Sequence, residues 1–364
     1  MKGNNRGQGR GRRKRKLSLL QMFLLDFVLV GVGLLVFALF HHVIPRPVDM
    51  SNAIVVDRYA HQPSAAQAPA ATAAAMDASA DDAQMIAASM DAAASDTALA
   101  TQAPVEPTAA PAPVGYFGDK FADKFTNGEI FNDGQVFRNQ NVNVTMRTGE
   151  YDGATYYLAD IYIRDISNLV AGLAHDSFGK NTSERPASIA ERLGSVVAIN
   201  GDYYSVHDSG VVIRNGTVFR TEVDTSMDIC VLYYDGTMET ISPSHFDADA
   251  AIEKGAYQAW SFGPRLLVDG VAQEFFNTTV SPANPRAVIG YYEPGHYCFV
   301  VVDGRNAKSQ GLTIRQTSLL MESLGCNVAF NLDGGNTAQM ICGSTVVNNP
   351  SGDRNCSDIV AIVG

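Results

Sequence analysis

The stretch Tyr297 to Asn336, YCFVVVDGRNAKSQGLTIRQTSLLMESLGCNVAFNLDGGN, decides the fold of this 364-residue chain. Phe299-Val300-Val301-Val302 and Val328-Ala329-Phe330 are short apolar runs bounded by Gly and Asp, the pattern of buried strands. Between them, Thr313 with Gln316 forms a capping box, in which side chain and backbone satisfy each other's free groups at a helix start. Leu319, Leu320 and Leu324 give that helix an apolar face, and Gly325 supplies a left-handed stop. A strand-helix-strand unit of this length predicts a crossover joining parallel strands. Both strands end in an Asp-Gly step, Asp303-Gly304-Arg305 and Asp333-Gly334-Gly335. Strand ends carrying carboxylates, glycines and an arginine are where ligand sites form in sheets flanked by helices.

Working outward, Val142 to Met146, Tyr156 to Ile163, Ser195 to Ile199, Arg286 to Tyr292 and Ser357 to Val363 read as further strands. Ser188 to Leu193 reads as a short helix. Asn215-Gly216, Asp235-Gly236 and Asp269-Gly270 lie between apolar runs and predict three hairpins. The expected fold is α+β or mixed α/β: one strand-rich mixed sheet with a few helices, in a single globular domain over residues 115–364. That length supports one substantial core. VVAINGDYY (196–204) and VAFNLDGGN (328–336) echo each other, which suggests two related half-domains or coincidence.

The N-terminal part has another character. Residues 1–16 hold eight Lys and Arg, and Leu17 to Phe40 is almost wholly apolar. As a helix, those 24 residues reach ~36 Å, enough to cross a bilayer. The long core and missing cleavage site favour a retained signal anchor over a removed leader. The basic head places the N-terminus in the cytoplasm and the remainder in an extracellular domain. Asp26 within the span is tolerable at a cost of ~2.5–3.5 kcal/mol. Residues 41–114, rich in Ala and then Pro, read as a disordered linker and spacer.

Beyond residue 40 the chain has 19 basic and 37 acidic residues, a net charge of −18, which excludes nucleic acid as a partner. All five cysteines lie there, and Cys342 and Cys356, flanking a polar loop, are the expected disulfide.

Asn200, Asp202, Asp303, Arg305, Asn331 and Asp333 all fall at predicted strand ends and would converge on one edge if those strands are neighbours. Asp202, Asp303 and Asp333 are the candidate acid, base or nucleophile for cleavage of a glycosidic bond. Gly334-Gly335-Asn336-Thr337 could offer backbone N–H groups to a phosphate, with Arg286 and Arg305 adding charge-assisted contacts. Each Asp-Gly step alone is more often an ordinary turn; the set carries the functional reading. His207-Asp208, close after the 200–204 turn, could reach the same site. No HExxH, Walker loop, GxGxxG or nucleophile elbow occurs. A Ca²⁺ or Mg²⁺ near the three carboxylates has no loop signature, so no cofactor is expected.

Taken in order, Asn200-Gly201-Asp202-Tyr203-Tyr204, Gly263-Pro264-Arg265-Leu266-Leu267-Val268-Asp269-Gly270, Arg286-Ala287-Val288-Ile289-Gly290, Val302-Asp303-Gly304-Arg305 with Gly311-Leu312-Thr313, and Asn331-Leu332-Asp333-Gly334-Gly335 resemble the phosphodiester glycosidase family. Bacterial relatives in that family are often described as exopolysaccharide biosynthesis proteins. The resemblance covers 195–364 well and 121–185 loosely. It implies hydrolysis of a sugar-1-phosphodiester, with Asn200, Asp303, Arg305, Asn331, Asp333 and Gly334 at matching positions, and Gly201 is a further candidate substrate or phosphate contact. Asn336-Thr337 and Asp202-Tyr203-Tyr204 depart from the family's usual residues and would reshape the pocket. With the anchor, the resemblance implies a phosphate-linked glycan of the cell envelope as partner. A non-catalytic glycan-binding or exopolysaccharide assembly protein is the alternative.

Overall fold

The computed structural model describes residues 18–42, 44–48, 53–59 and 113–364. The basic head and the greater part of the Ala/Pro-rich stretch lie outside the described residues. Leu19–His42 is one helix, and its segment Leu19–Leu39, with mean hydropathy 2.6, is long and apolar enough to cross a membrane.

The rest is strand-rich, with three short α-helices over Pro186–Leu193, Ala248–Glu253 and Ile314–Ser323. Every ladder among the described strands is antiparallel, so the α+β form of the expectation is the one realised. The deciding stretch folds as read: strand His296–Val302, helix Ile314–Ser323 with both halves of its capping box formed, strand Val328–Asn331. The two strands do run the same way, but they are not neighbours. Arg286–Glu293 lies between them and pairs antiparallel with each. Local pattern reveals a strand's existence; which segment inserts beside it is a non-local choice.

A nine-stranded sheet containing these three strands faces a five-stranded sheet built around Val197–Asn200 and Asp358–Ile362. Ile161, Ile289, Phe299 and Val301 from the first meet Val197, Ile199, Val360 and Ile362 from the second in the main core. On the outer face of the large sheet, Val288, Val300 and Val302 pack under Leu320 and Met321 of the capped helix. On the outer face of the smaller one, Ala198, Ile359 and Ala361 pack under Ile189 and Ala190. Burial on both faces explains the unbroken apolar runs in these strands, where a half-exposed sheet would alternate. Val212–Arg214, Thr217–Arg220, Asp228–Tyr233 and Ala256–Phe262 belong to a third, six-stranded sheet. All three expected hairpins form. Asn215 and Gly216 (φ 52° and 77°) and Asp269 and Gly270 (φ 51° and 76°) take the left-handed pairs that two-residue hairpin turns need.

Two expectations are corrected. The Cys342–Cys356 disulfide does not form, and all five thiols are free. Cys342 lies against the main core while Cys356 lies behind the five-stranded sheet, so the sheet separates them. The linker is also shorter than 41–114. Arg46–Pro47 pairs with Gly179–Lys180, and Ile54–Val55 pairs with Val218–Thr217, so residues 46–48 and 53–58 belong to the folded body.

Candidate active site

The strand ends Asn200 and Asn331 come from facing sheets, and the site is the seam where they meet. The Asn200 side chain donates to the Asp333 carbonyl at 2.6 Å, and the Asp333 N–H donates to the Gly201 carbonyl at 3.1 Å. The two echoing segments of sequence are thus stitched end to end. Past the seam, Asp333 turns its carboxylate toward a cavity of about 690 Å³.

Two arginines on that cavity have no carboxylate within ion-pair distance among the described residues. Arg286 is buried at a strand start and donates to the carbonyls of Leu312 (3.0 Å) and Pro282 (2.5 Å). Burial, with repulsion from Arg305, pushes its pKa down to about 10, still charged at neutral pH. Arg305 has a left-handed backbone (φ 57°). Among the described residues its guanidinium is held by amide oxygens, Asn284 Oδ1 (2.8 and 3.1 Å) and Asn336 Oδ1 (3.1 Å). Neutral acceptors orient these cations without neutralising them, which leaves a fixed positive field for an anion.

A third arginine, absent from the sequence reading, completes the wall. Arg354 pairs with Asp333 Oδ2 at 2.5 Å, hydrogen-bonds Thr337 Oγ1, and lies 5.0 Å above the Tyr203 ring. Burial raises the Asp333 pKa above the usual carboxylate range; Arg354, Thr337 and the Gly334 N–H pull it partly back. The floor carries a further sign of an unfilled role. Asn331 is buried, its Nδ2 donates to the Gly263 carbonyl at 2.8 Å, and its Oδ1 has no partner. An unpaired buried acceptor is costly unless a ligand donor meets it. Half-buried His207 also lines the cavity, and burial lowers its pKa, so it is neutral at pH 7.

Of the residues marked from sequence, Arg286, Arg305, Asn331, Asp333, Gly334, Gly335 and Asn336 line the cavity. Asn200, Gly201, Asp202, Asp303 and Thr337 stand behind it. Asp202 is fully buried. One carboxylate oxygen lies 2.8 Å from Arg214 Nη2, and the other accepts the Ser261 N–H at 3.0 Å. Arg214 in turn pairs with the equally buried Asp358 at 2.7 Å. Asp303 accepts from Asn348 Nδ2 and the Asn349 N–H, both at 3.0 Å, and so ties the 348–349 loop to its strand. Neither carboxylate lines the cavity, whereas Asp333 does, so of the three expected reacting carboxylates only Asp333 faces the cleft. The expected phosphate nest is also corrected. The Gly334 N–H is taken by Asp333 Oδ1 (2.9 Å) and the Gly335 N–H by the Pro285 carbonyl (3.0 Å). These glycines are needed for closeness instead. A Cβ on Gly334 would lie 2.6 Å from the Pro285 carbonyl oxygen, and one on Gly335 3.1 Å from Arg305 Nη2. Among the described residues no cluster of three or more His, Cys, Asp or Glu is placed to hold a metal ion.

A cleft that pairs uncompensated cations with a buried carboxylate and an unmet acceptor suits a ligand that is both anionic and hydroxylated. Residues 193–363 match the family model described as phosphodiester glycosidase. The SPbeta prophage-derived uncharacterized protein YomE of Bacillus subtilis (strain 168) is 34% identical over 183 residues, 48% of this chain and 28% of that protein. The chain therefore matches little more than a quarter of that relative's length. Among solved structures, the zebrafish N-acetylglucosamine-1-phosphodiester α-N-acetylglucosaminidase catalytic domain, auto-inhibited by its pro-peptide, is 18% identical. The match covers 66% of this chain and 85% of that one, with a TM-score of 0.49. A hypothetical protein from Synechocystis is 12% identical over 62% of each chain, with a TM-score of 0.42.

Proposed function

We propose that this chain is a membrane-anchored extracytoplasmic hydrolase that cleaves a sugar-1-phosphodiester in envelope or exopolysaccharide glycans. The observation that carries the reading is the pairing of two charge-uncompensated arginines, Arg286 and Arg305, with Asp333 and the unpartnered Asn331 Oδ1 around one cavity. Arg305 and Arg286 take the phosphate oxygens, and Asn331 Oδ1 accepts from a sugar hydroxyl or amide N–H. Asp333 acts at the anomeric carbon, either directly or by taking a proton from the attacking water. The bond from anomeric carbon to phosphate oxygen breaks with its electrons on the phosphate. That group leaves as an anion already paired with arginine, so no general acid is required on the leaving side. Asp202 and Asp303 position the seam and the neighbouring loop.

The test is incubation of the detergent-solubilised chain with a sugar-1-phosphodiester of a chromogenic alcohol. Release of free sugar together with the phosphomonoester supports the reading. Binding of the diester without release supports the glycan-binding alternative.

A further inference from the structure

The Ala/Pro-rich stretch does not set the height of the domain above the apolar helix, because the chain is fastened to the domain on both sides of it. Before the stretch, Arg46–Pro47 pairs with Gly179–Lys180, the Val48 N–H donates to the Phe178 carbonyl at 3.1 Å, and Ile54–Val55 adds an edge strand to the six-stranded sheet. Val56 is buried. Arg58 then pairs with Asp165 at 2.6 Å and donates from Nε to the Val114 carbonyl at 2.8 Å. After the stretch, the Gly115 carbonyl accepts the Ile166 N–H at 2.8 Å. Residues 58 and 114 are therefore hydrogen-bonded to each other, so the length of the stretch between them does not set the distance from the helix to the domain.

The length that does count is the one from the helix end at His42 to Arg46. Four residues span at most ~14 Å. If the helix crosses a bilayer, the strand Arg46–Pro47 and the adjoining Val48 are held close to its surface. That strand adjoins the active site. Val48 and Lys180 line a cavity of about 190 Å³ that shares His207 with the main cleft. Phe276 and Val280 also line the main cleft, and the adjacent Phe275 is 93% exposed. A bare phenylalanine beside a cleft tied this close to a membrane is an apolar lip suited to lipid.

We infer that the substrate is a sugar-1-phosphodiester whose second ester is to a membrane-embedded lipid alcohol. This rests on the glycosidase reading and names its substrate class. Arg286 and Arg305 hold the phosphate, the lipid chain leaves past Phe275, and the sugar occupies the Asn331 end. Water bonds to the anomeric carbon and the C1–O bond breaks toward phosphate. One water proton passes to Asp333 and then to solvent, leaving free sugar and a lipid phosphomonoester.

The test uses the full chain in phospholipid vesicles with two probes of one sugar-1-phosphate, esterified either to a long-chain alcohol in the same bilayer or to methanol in solution. A variant carries a 20-residue Gly-Ser insertion between Ile44 and Pro45, which adds a flexible reach of ~25 Å. The native chain is expected to cleave the bilayer probe at least ~10-fold faster by kcat/KM, and the insertion to lower that rate ~3-fold or more through lost effective concentration while sparing the soluble probe. Equal rates on both probes, or a ratio untouched by the insertion, would overturn the inference and point to a wall polymer or soluble glycan. Should neither probe be cleaved, the glycosidase reading fails on its own. Placement is then judged by energy transfer from a dye on the domain to headgroup-labelled lipid. Transfer that falls on insertion upholds the membrane-held placement, and transfer that does not change overturns it.

Discussion

Replacing Arg214 with Met should destabilise the protein severely without touching the cavity. Arg214 is 1% exposed and lies between Asp202 and Asp358, both 0% exposed, at 2.8 and 2.7 Å. It also donates to the carbonyls of Ile213 and Ala259. Removing one member of a buried ion pair costs ~3–5 kcal/mol, because the partner charge stays buried without compensation. Here two carboxylates are orphaned, so the upper end applies, against a total stability of ~5–15 kcal/mol. At ~2–4 °C per kcal/mol for a domain of this size, Tm should fall by ~10 °C or more. The loss has a sign in pH. Burial pushes the Asp358 pKa up to about 6 even with Arg214 present. Between the usual carboxylate range and that value, the folded state holds a proton that the unfolded chain has released. This group's contribution is therefore full below the window and lost as pH rises through it. Without Arg214 the carboxyl is pushed higher still, so the two folded states differ in bound protons only above about pH 6, and the deficit of the variant should widen as pH rises past that value. Thermal melts of the detergent-solubilised chain on both sides of that value read both effects. A deficit under ~1 kcal/mol, or one independent of pH, would refute the buried-triad account. The companion Asp202→Asn should lower Tm while leaving kcat of the folded fraction unchanged. A loss of ~10²-fold or more in kcat would return Asp202 to the reacting groups.

Arg305→Ala should raise KM at least tenfold, the equivalent of ~1.5–3 kcal/mol for a lost charge-assisted contact, with a smaller effect on kcat; an unaltered KM would remove it from the phosphate site. Arg354→Ala removes the charge that holds the Asp333 pKa down, so the acid limb of the kcat/KM profile should move to higher pH; a limb that stays put would mean Asp333 does not govern it. Gly201→Ala would bring a Cβ to 2.0 Å from Asp358 Oδ1, and overpacking there should cost ~1–3 kcal/mol or more in thermal melts, with a wild-type Tm contradicting the packing.

The strands, the capped helix and the hairpins were legible because their causes are local. Thr313 and Gln316 satisfy each other three residues apart, and Asn215-Gly216 has the left-handed backbone pair that its two residue types favour. The insertion of Arg286–Glu293 between two strands joined by a helix was not legible, because pairing partners are chosen by the whole sheet. In the site, an Asp after a strand looks the same whether it faces a ligand or a buried arginine. Asp202 meets Arg214 and Asp358 from distant segments, and nothing beside it in sequence reports them. Arg354 lies in a polar loop without periodicity, read only as the span between two cysteines, and it reaches Asp333 because the fold returns there. The double glycine was rightly marked, but for a chemistry it does not perform, since its N–H groups are already spent.

The most direct measurement of the central claim is sugar release from a sugar-1-phosphodiester by the native chain and by Asp333→Asn, with binding followed in parallel. The account predicts turnover by the native chain and, in the variant, a bound diester that stays intact. Equal turnover by both, or none by either, would contradict it.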